Sequence, residues 1–155
     1  MTTKTDFQGK FSNQYARHSG VAELAGDVWN IRQNVPETIA AARTLTASDS
    51  GKIFILNASA GAAVSLPAVA TSAGVRYKFI TGAAFASTAF TIVAATAKIQ
   101  GGVIVNSTNV PCANITTITL AHGAEAVGDW IELDCDGTNW YVKGVAKESG
   151  GVTVA

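Results

Sequence analysis

The chain has 155 residues, eleven of them basic and eleven acidic, and a formal net charge of zero. Only 14% of its residues are charged, against about a quarter in an average soluble domain. Without a basic surface, electrostatic binding of nucleic acid or of an anionic membrane is excluded, and a protein this weakly charged is expected to bury much of its surface against a partner.

The length suits one compact domain with an appendage. The opening segment, MTTKTDFQGKFSNQ, has no apolar h-region, so no secretory signal is expected. Residues 1–43 carry nine of the 22 charges and read as an extended N-terminal arm. Its scattered aromatics, Phe7, Phe11, Tyr15 and Trp29, are candidate anchors on another surface. "SGVAELAGDVWNI" suggests a short helix weakened by Gly20 and Gly26. "PETIAAAR" suggests a helix of about two turns, with Pro36 in the first turn and Glu37 beside it.

Residues 44–155 read as an all-β domain. "KIFIL" (52–56), "AVSL" (63–66), "VRYKFIT" (75–81), "FTIVA" (90–94), "GVIV" (102–105), "ITTITL" (115–120), "DWIELDC" (129–135) and "WYVKGV" (140–145) are predicted strands. Short strands separated by Gly, Ser and Asp turns at spacings near ten residues predict an antiparallel sandwich or a barrel-like domain. Phe79 to Ala97 is uncharged, but its glycine and threonines divide it into strand, turn and strand rather than a membrane span. In "VRYKF", Val75, Tyr77 and Phe79 share one face, and Arg76 and Lys78 the other. "KIFIL" and "GVIV" are apolar on both faces, so both faces need cover. Phe54, Val103 and Val105 in these strands are candidate intersubunit contacts.

The most informative stretch is "GDWIELDCDGTNWYVKG" (128–144). Asp136-Gly137 marks a tight hairpin turn. The resulting register pairs Cys135 with Trp140, Leu133 with Val142 and Ile131 with Gly144 on one face. Glu132 then stands opposite Lys143 on the other, beside Trp130, Asp134 and Tyr141. A slip of one residue would bury Glu132 and expose Ile131 and Leu133, so the register is well specified.

Chemistry is harder to find. "DCDG" resembles the start of a calcium loop, but the twelfth position is Val145 where the bidentate Glu belongs. Glu132 and Asp134, two apart on one strand, fit a wet face better than a glycosidase pair. His18, His122, Cys112 and Cys135 lack ligand spacing for zinc, and two cysteines make no disulfide framework. No nucleophile elbow or phosphate loop is present, and His122 is expected to cap a turn. No catalytic, metal-binding or cofactor-binding residues are therefore assigned. Trp130 and Tyr141 on the outer face are candidate partner contacts, or a platform for stacking a sugar.

The runs "RTLTASDSGKIFILNASAGAAVSLPA", "GVRYKFI", "IQGGVIV" and "AHGAEAVGDWIELDCDGTNWYVKG" together resemble the capsid decoration (cement) proteins of tailed bacteriophages. Similar β domains occur in phage tail fibres and spikes. The resemblance covers about residues 43–155. It implies a β-rich virion subunit, commonly a homotrimer, with no catalytic residues. Its partners would be its own copies and the major capsid protein, and its place the outer capsid surface after synthesis in the host cytoplasm. The chain's length favours decoration over a tail fibre or receptor-binding component, since fibres and spikes are usually longer.

Overall fold

The computed structural model describes residues 36–155, apart from Ser59. Among the described residues, twelve strands form two sheets. They are β1 (Glu37–Ile39), β2 (Arg43–Thr44), β3 (Ile53–Leu56), β4 (Ala62–Ser65), β5 (Arg76–Thr81) and β6 (Phe90–Val93). β7 (Ile99–Val105), β8 (Thr108–Ile115), β9 (Thr117–Leu120), β10 (Trp130–Cys135), β11 (Trp140–Ala146) and β12 (Val152–Val154) follow. The seven-stranded sheet runs β1-β3-β5-β10-β11-β7-β8, and the five-stranded sheet β12-β9-β6-β4-β2. The all-β sandwich expected from the strand spacing is present.

Pairing inside the sheets is mixed rather than uniformly antiparallel. The first six strands alternate between the sheets, so each returns in the direction of the strand two before it. β1, β3 and β5 are parallel neighbours in one sheet, and β2, β4 and β6 in the other. Later strands add antiparallel pairs, the hairpins β7–β8 and β10–β11 together with β5–β10, β6–β9 and β9–β12, while β11 and β7 are parallel. Residues 36–43, read from sequence as the end of the arm, supply strand β1 and the start of β2. The expected helix over "PETIAAAR" is absent. Glu37–Ile39 pairs instead with Phe54–Leu56, because a two-turn helix cannot hold itself without packing, whereas the edge of β3 offers a ready ladder.

Both sheets contribute to one core. Phe54, Tyr77, Phe79 and Trp140 from the larger sheet pack with Phe90, Ile92, Ile118 and Leu120 from the smaller. Phe54 stacks on Phe79 at 5.4 Å and Tyr77 on Trp140 at 5.5 Å. The buried Tyr77 hydroxyl donates to the Thr46 carbonyl at 2.6 Å, so its phenol is satisfied where water cannot reach. One border of the sandwich is closed by charge. Asp49 accepts from Arg43 at 2.9 Å, from Lys52 at 2.8 Å and from the Thr46 amide at 3.0 Å. Glu37 pairs with the same two cations. Arg43 also lies over the Phe54 ring, 5.3 Å from its centre.

The hairpin register read from sequence is observed: Cys135–Trp140, Leu133–Val142, Ile131–Gly144 and Glu132–Lys143 are all partners. The Asp136 carboxylate accepts from the Thr138 and Asn139 amides, both at 2.7 Å, and Gly137 takes φ +94°. These two N–H bonds hold the Asp136 carboxyl below its ordinary range.

Candidate functional site

Strand alternation sends every second residue of the larger sheet away from the core. Where the inward residues are Phe54, Phe79, Ile131, Gly144 and Val103, their neighbours must face outward. The pairings bring those neighbours into rows. Ile55 lies beside Ile80, Ile80 beside Trp130, Trp130 beside Val145, and Val145 beside Ile104. This is an apolar row across five adjacent strands, about 19 Å long at the usual strand spacing. Thr38 and Asn109 end it on the edge strands. Ile104 is 41% exposed and Val145 38%; Ile55, Ile80 and Trp130 are half-buried. The Lys78 ammonium lies over the Trp130 ring, 4.7 Å from its centre.

The next rows along the strands are mostly polar, and their carboxylates are engaged by neighbouring cations. Lys143 pairs with Glu132 and with Asp134, each at 2.9 Å, and Arg76 also pairs with Asp134. Partial burial alone would raise the Asp134 carboxyl, but the hydrogen bonds from Arg76 and Lys143 outweigh it and hold it below its ordinary range. Lys143 is raised by the same kind of contact, from Glu132 first and then Asp134. Beyond them, the exposed Tyr141 donates from its hydroxyl to Asp136 at 3.1 Å, and Gln100 donates to Asn114 at 2.7 Å. With its charges engaged internally, the face offers a docking partner chiefly the apolar row.

Trp130 and Tyr141 stand on the outer face, as the hairpin register requires. Phe54, Val103 and Val105 do not: all three belong to the core. These two-faced strands do present apolar surface outward, but through Ile53, Ile55 and Ile104. Sequence alone could not tell the two faces of "IFIL" or "VIV" apart, since both are apolar. Phe7, Phe11, Tyr15 and Trp29 lie outside the described residues. Trp140, the hairpin's other aromatic residue, is fully buried. His122, expected to cap a turn, instead ties two loops together: its Nδ1 lies 2.7 Å from the Phe85 carbonyl, beside Glu125, which accepts from the Phe85 and Gly123 amides.

Among the described residues, no group of three or more His, Cys, Asp or Glu side chains converges as a metal site. Cys112 and Cys135 are both buried and unbonded. Burial pushes both thiols up, which keeps them protonated and poorly nucleophilic. Comparison with protein-family models, with curated proteins and with solved structures finds no match to this chain.

Proposed function

We propose that this protein is a non-enzymatic virion subunit, a capsid decoration protein. It associates with its own copies through the outer face of the larger sheet and stabilises the shell by bridging neighbouring capsid subunits. The observation that carries the assembly role is the apolar row Ile55–Ile80–Trp130–Val145–Ile104, flanked by charges already paired among themselves. Seven strands of about six residues make a face of roughly 29 by 20 Å, or about 600 Å². That is near the lower bound of a specific protein interface, at roughly 1,200 Å² in total for two partners. The resemblance to phage decoration proteins supports the virion setting, the major capsid protein as second partner and the trimer as the oligomer. Imaging of particles carrying this protein tests the reading: density distributed over the shell supports it, and density at the tail alone rejects it.

One observation favours a second reading, a tail or receptor-binding component that takes a carbohydrate. Tyr141 is 45% exposed and stands among Asp134, Lys143, Asp136 and Gln100, an aromatic ring ringed by hydrogen-bonding groups. Glycan binding that is abolished by Tyr141→Ala supports this reading over decoration.

A further inference from the structure

The loop between β9 and β10, residues 121–129, is fixed from several sides. Asp129 is 2% exposed, and its carboxylate accepts from the Ala126 amide at 2.8 Å and from the Lys147 amide at 3.0 Å. The Gly128 amide donates to the Thr81 carbonyl at 2.9 Å, and the Thr81 amide donates to the Asp129 carbonyl at 2.8 Å. The Lys147 ammonium donates to the Val127 carbonyl. A loop held by this many bonds has little conformational freedom left to lose.

The apex of this loop nevertheless displays an apolar side chain. Val127 is 60% exposed, more than any other large apolar residue among those described; Tyr141 follows at 45%. The loop's carboxylates, Glu125 and Asp129, accept from backbone amides, so the apex offers a partner apolar contact rather than charge. It also adjoins the apolar row of the outer face. Val127 lies three residues before Trp130. Lys147, which grips the Val127 carbonyl, continues the outward alternation of β11 two residues past Val145.

We propose that this loop apex is a second part of the surface through which copies of the chain associate, with Val127 buried against the neighbouring copy. The inference rests on the self-association proposed for the outer face. Area and continuity point to a copy as the occupant. The outer face supplies about 600 Å² per copy, whereas an interface of standard size takes about 800 Å² from each partner, over roughly 20–30 residues. The shortfall of about 200 Å² is the share of roughly six residues, which residues 123–128 match beside the row. A copy seated on Trp130 and Val145 and reaching past the start of β10 covers the apex, with no further partner required. Because the loop is already fixed, its docking costs little ordering entropy.

The test uses the full chain and follows assembly by sedimentation equilibrium, with Val145→Glu as the reference for loss of the row. Val127→Glu is expected to weaken self-association at least tenfold, while Val127→Leu, which keeps the apolar contact, stays within threefold of the parent. Val127→Cys reads the contact without introducing a charge. Cys112 and Cys135 are buried, so maleimide labelling reports the introduced thiol. Its labelling is expected to be at least tenfold slower in the concentrated, assembled protein than in the dilute one. Assembly of Val127→Glu at the parent's strength while Val145→Glu stays apart overturns the loop's role and leaves the outer-face reading standing. Equal labelling rates in the two states do the same. A parent that stays monomeric at every concentration removes both.

Discussion

Lys78 holds its ammonium group 4.7 Å from the centre of the Trp130 ring. The two are diagonal neighbours on adjacent strands of the outer face, since Trp130 pairs with Ile80 and Glu132 with Lys78. The lysine covers part of the indole without removing it from the apolar row. A cation over an aromatic face at a partly exposed site is worth about 0.5–1 kcal/mol. Lys78→Ala is expected to lower stability by about that amount in a denaturant titration. A loss several times larger would mean that Lys78 does more than cover the ring.

Tyr77 reaches from the core to the Thr46 carbonyl at 2.6 Å. Tyr77→Phe removes this donor, while the Thr46 carbonyl keeps its bond from the Asp49 amide at 2.9 Å, so the cost is that of one net hydrogen bond, about 0.5–1.5 kcal/mol. Burial, first, and the nearby Asp49 charge raise the phenol well above its ordinary value. In an absorbance titration of the folded protein, Tyr77 is therefore expected to stay un-ionised through the pH range where an ordinary tyrosine titrates. Ionisation of all three tyrosines before unfolding would contradict this.

Acid sensitivity follows from Asp49, Asp134 and Glu125. Burial opposes ionisation of each, yet hydrogen bonds and neighbouring cations win and lower all three. A carboxyl lowered in the folded state contributes stability that is fully present above its unfolded value. That contribution is lost as pH falls through the folded value. Stability is thus expected to be level near neutrality and to decline below about pH 4. Asp49→Asn, which breaks the clamp on Arg43, Lys52 and Thr46, is expected to cost roughly 2 kcal/mol at pH 7 and to flatten the acid limb. An acid limb unchanged by this substitution would refute the assignment.

Gly101 takes φ +117°, and a Cβ placed there would collide with the Val142 carbonyl oxygen on the neighbouring strand. The parallel β7–β11 contact depends on this approach. Gly101→Ala is expected to cost about 2 kcal/mol or more, from backbone strain and collision together. Thermal melting near the parent temperature would show that the strands can part without loss.

Much of this architecture was legible in the residues. The Asp136-Gly137 turn and the flanking alternation fixed each partner in β10–β11, and the faces of Tyr77 and Arg76 followed from their spacing. The parallel pairings were not legible. β3 meets β5 and β4 meets β6 only because the chain crosses between sheets in the interval, and no local pattern encodes which sheet a strand joins. β8 was hidden by its polar residues and Pro111, and its turn uses Asn106 and Ser107 at positive φ rather than a glycine. β12, three residues long, gave too short a run to show alternation. The outward row was obscured for a different reason. In "IFIL" and "GVIV" the two faces are equally apolar, so burial of Phe54 and Val103 is decided by their partners across the core and not by their own strands.

The central claim is that the row Ile55–Ile80–Trp130–Val145–Ile104 drives assembly. The most direct test is the mass of the full-length chain in solution, measured by light scattering during size exclusion, for the parent and for Val145→Glu. Val145 is exposed and contributes nothing to the core, so the substitution leaves the fold intact while placing a charge in the row between Trp130 and Ile104. The account predicts a parent oligomer and a folded, monomeric Val145→Glu with an unchanged melting temperature. A monomeric parent, or an oligomer that tolerates the charge, would contradict it.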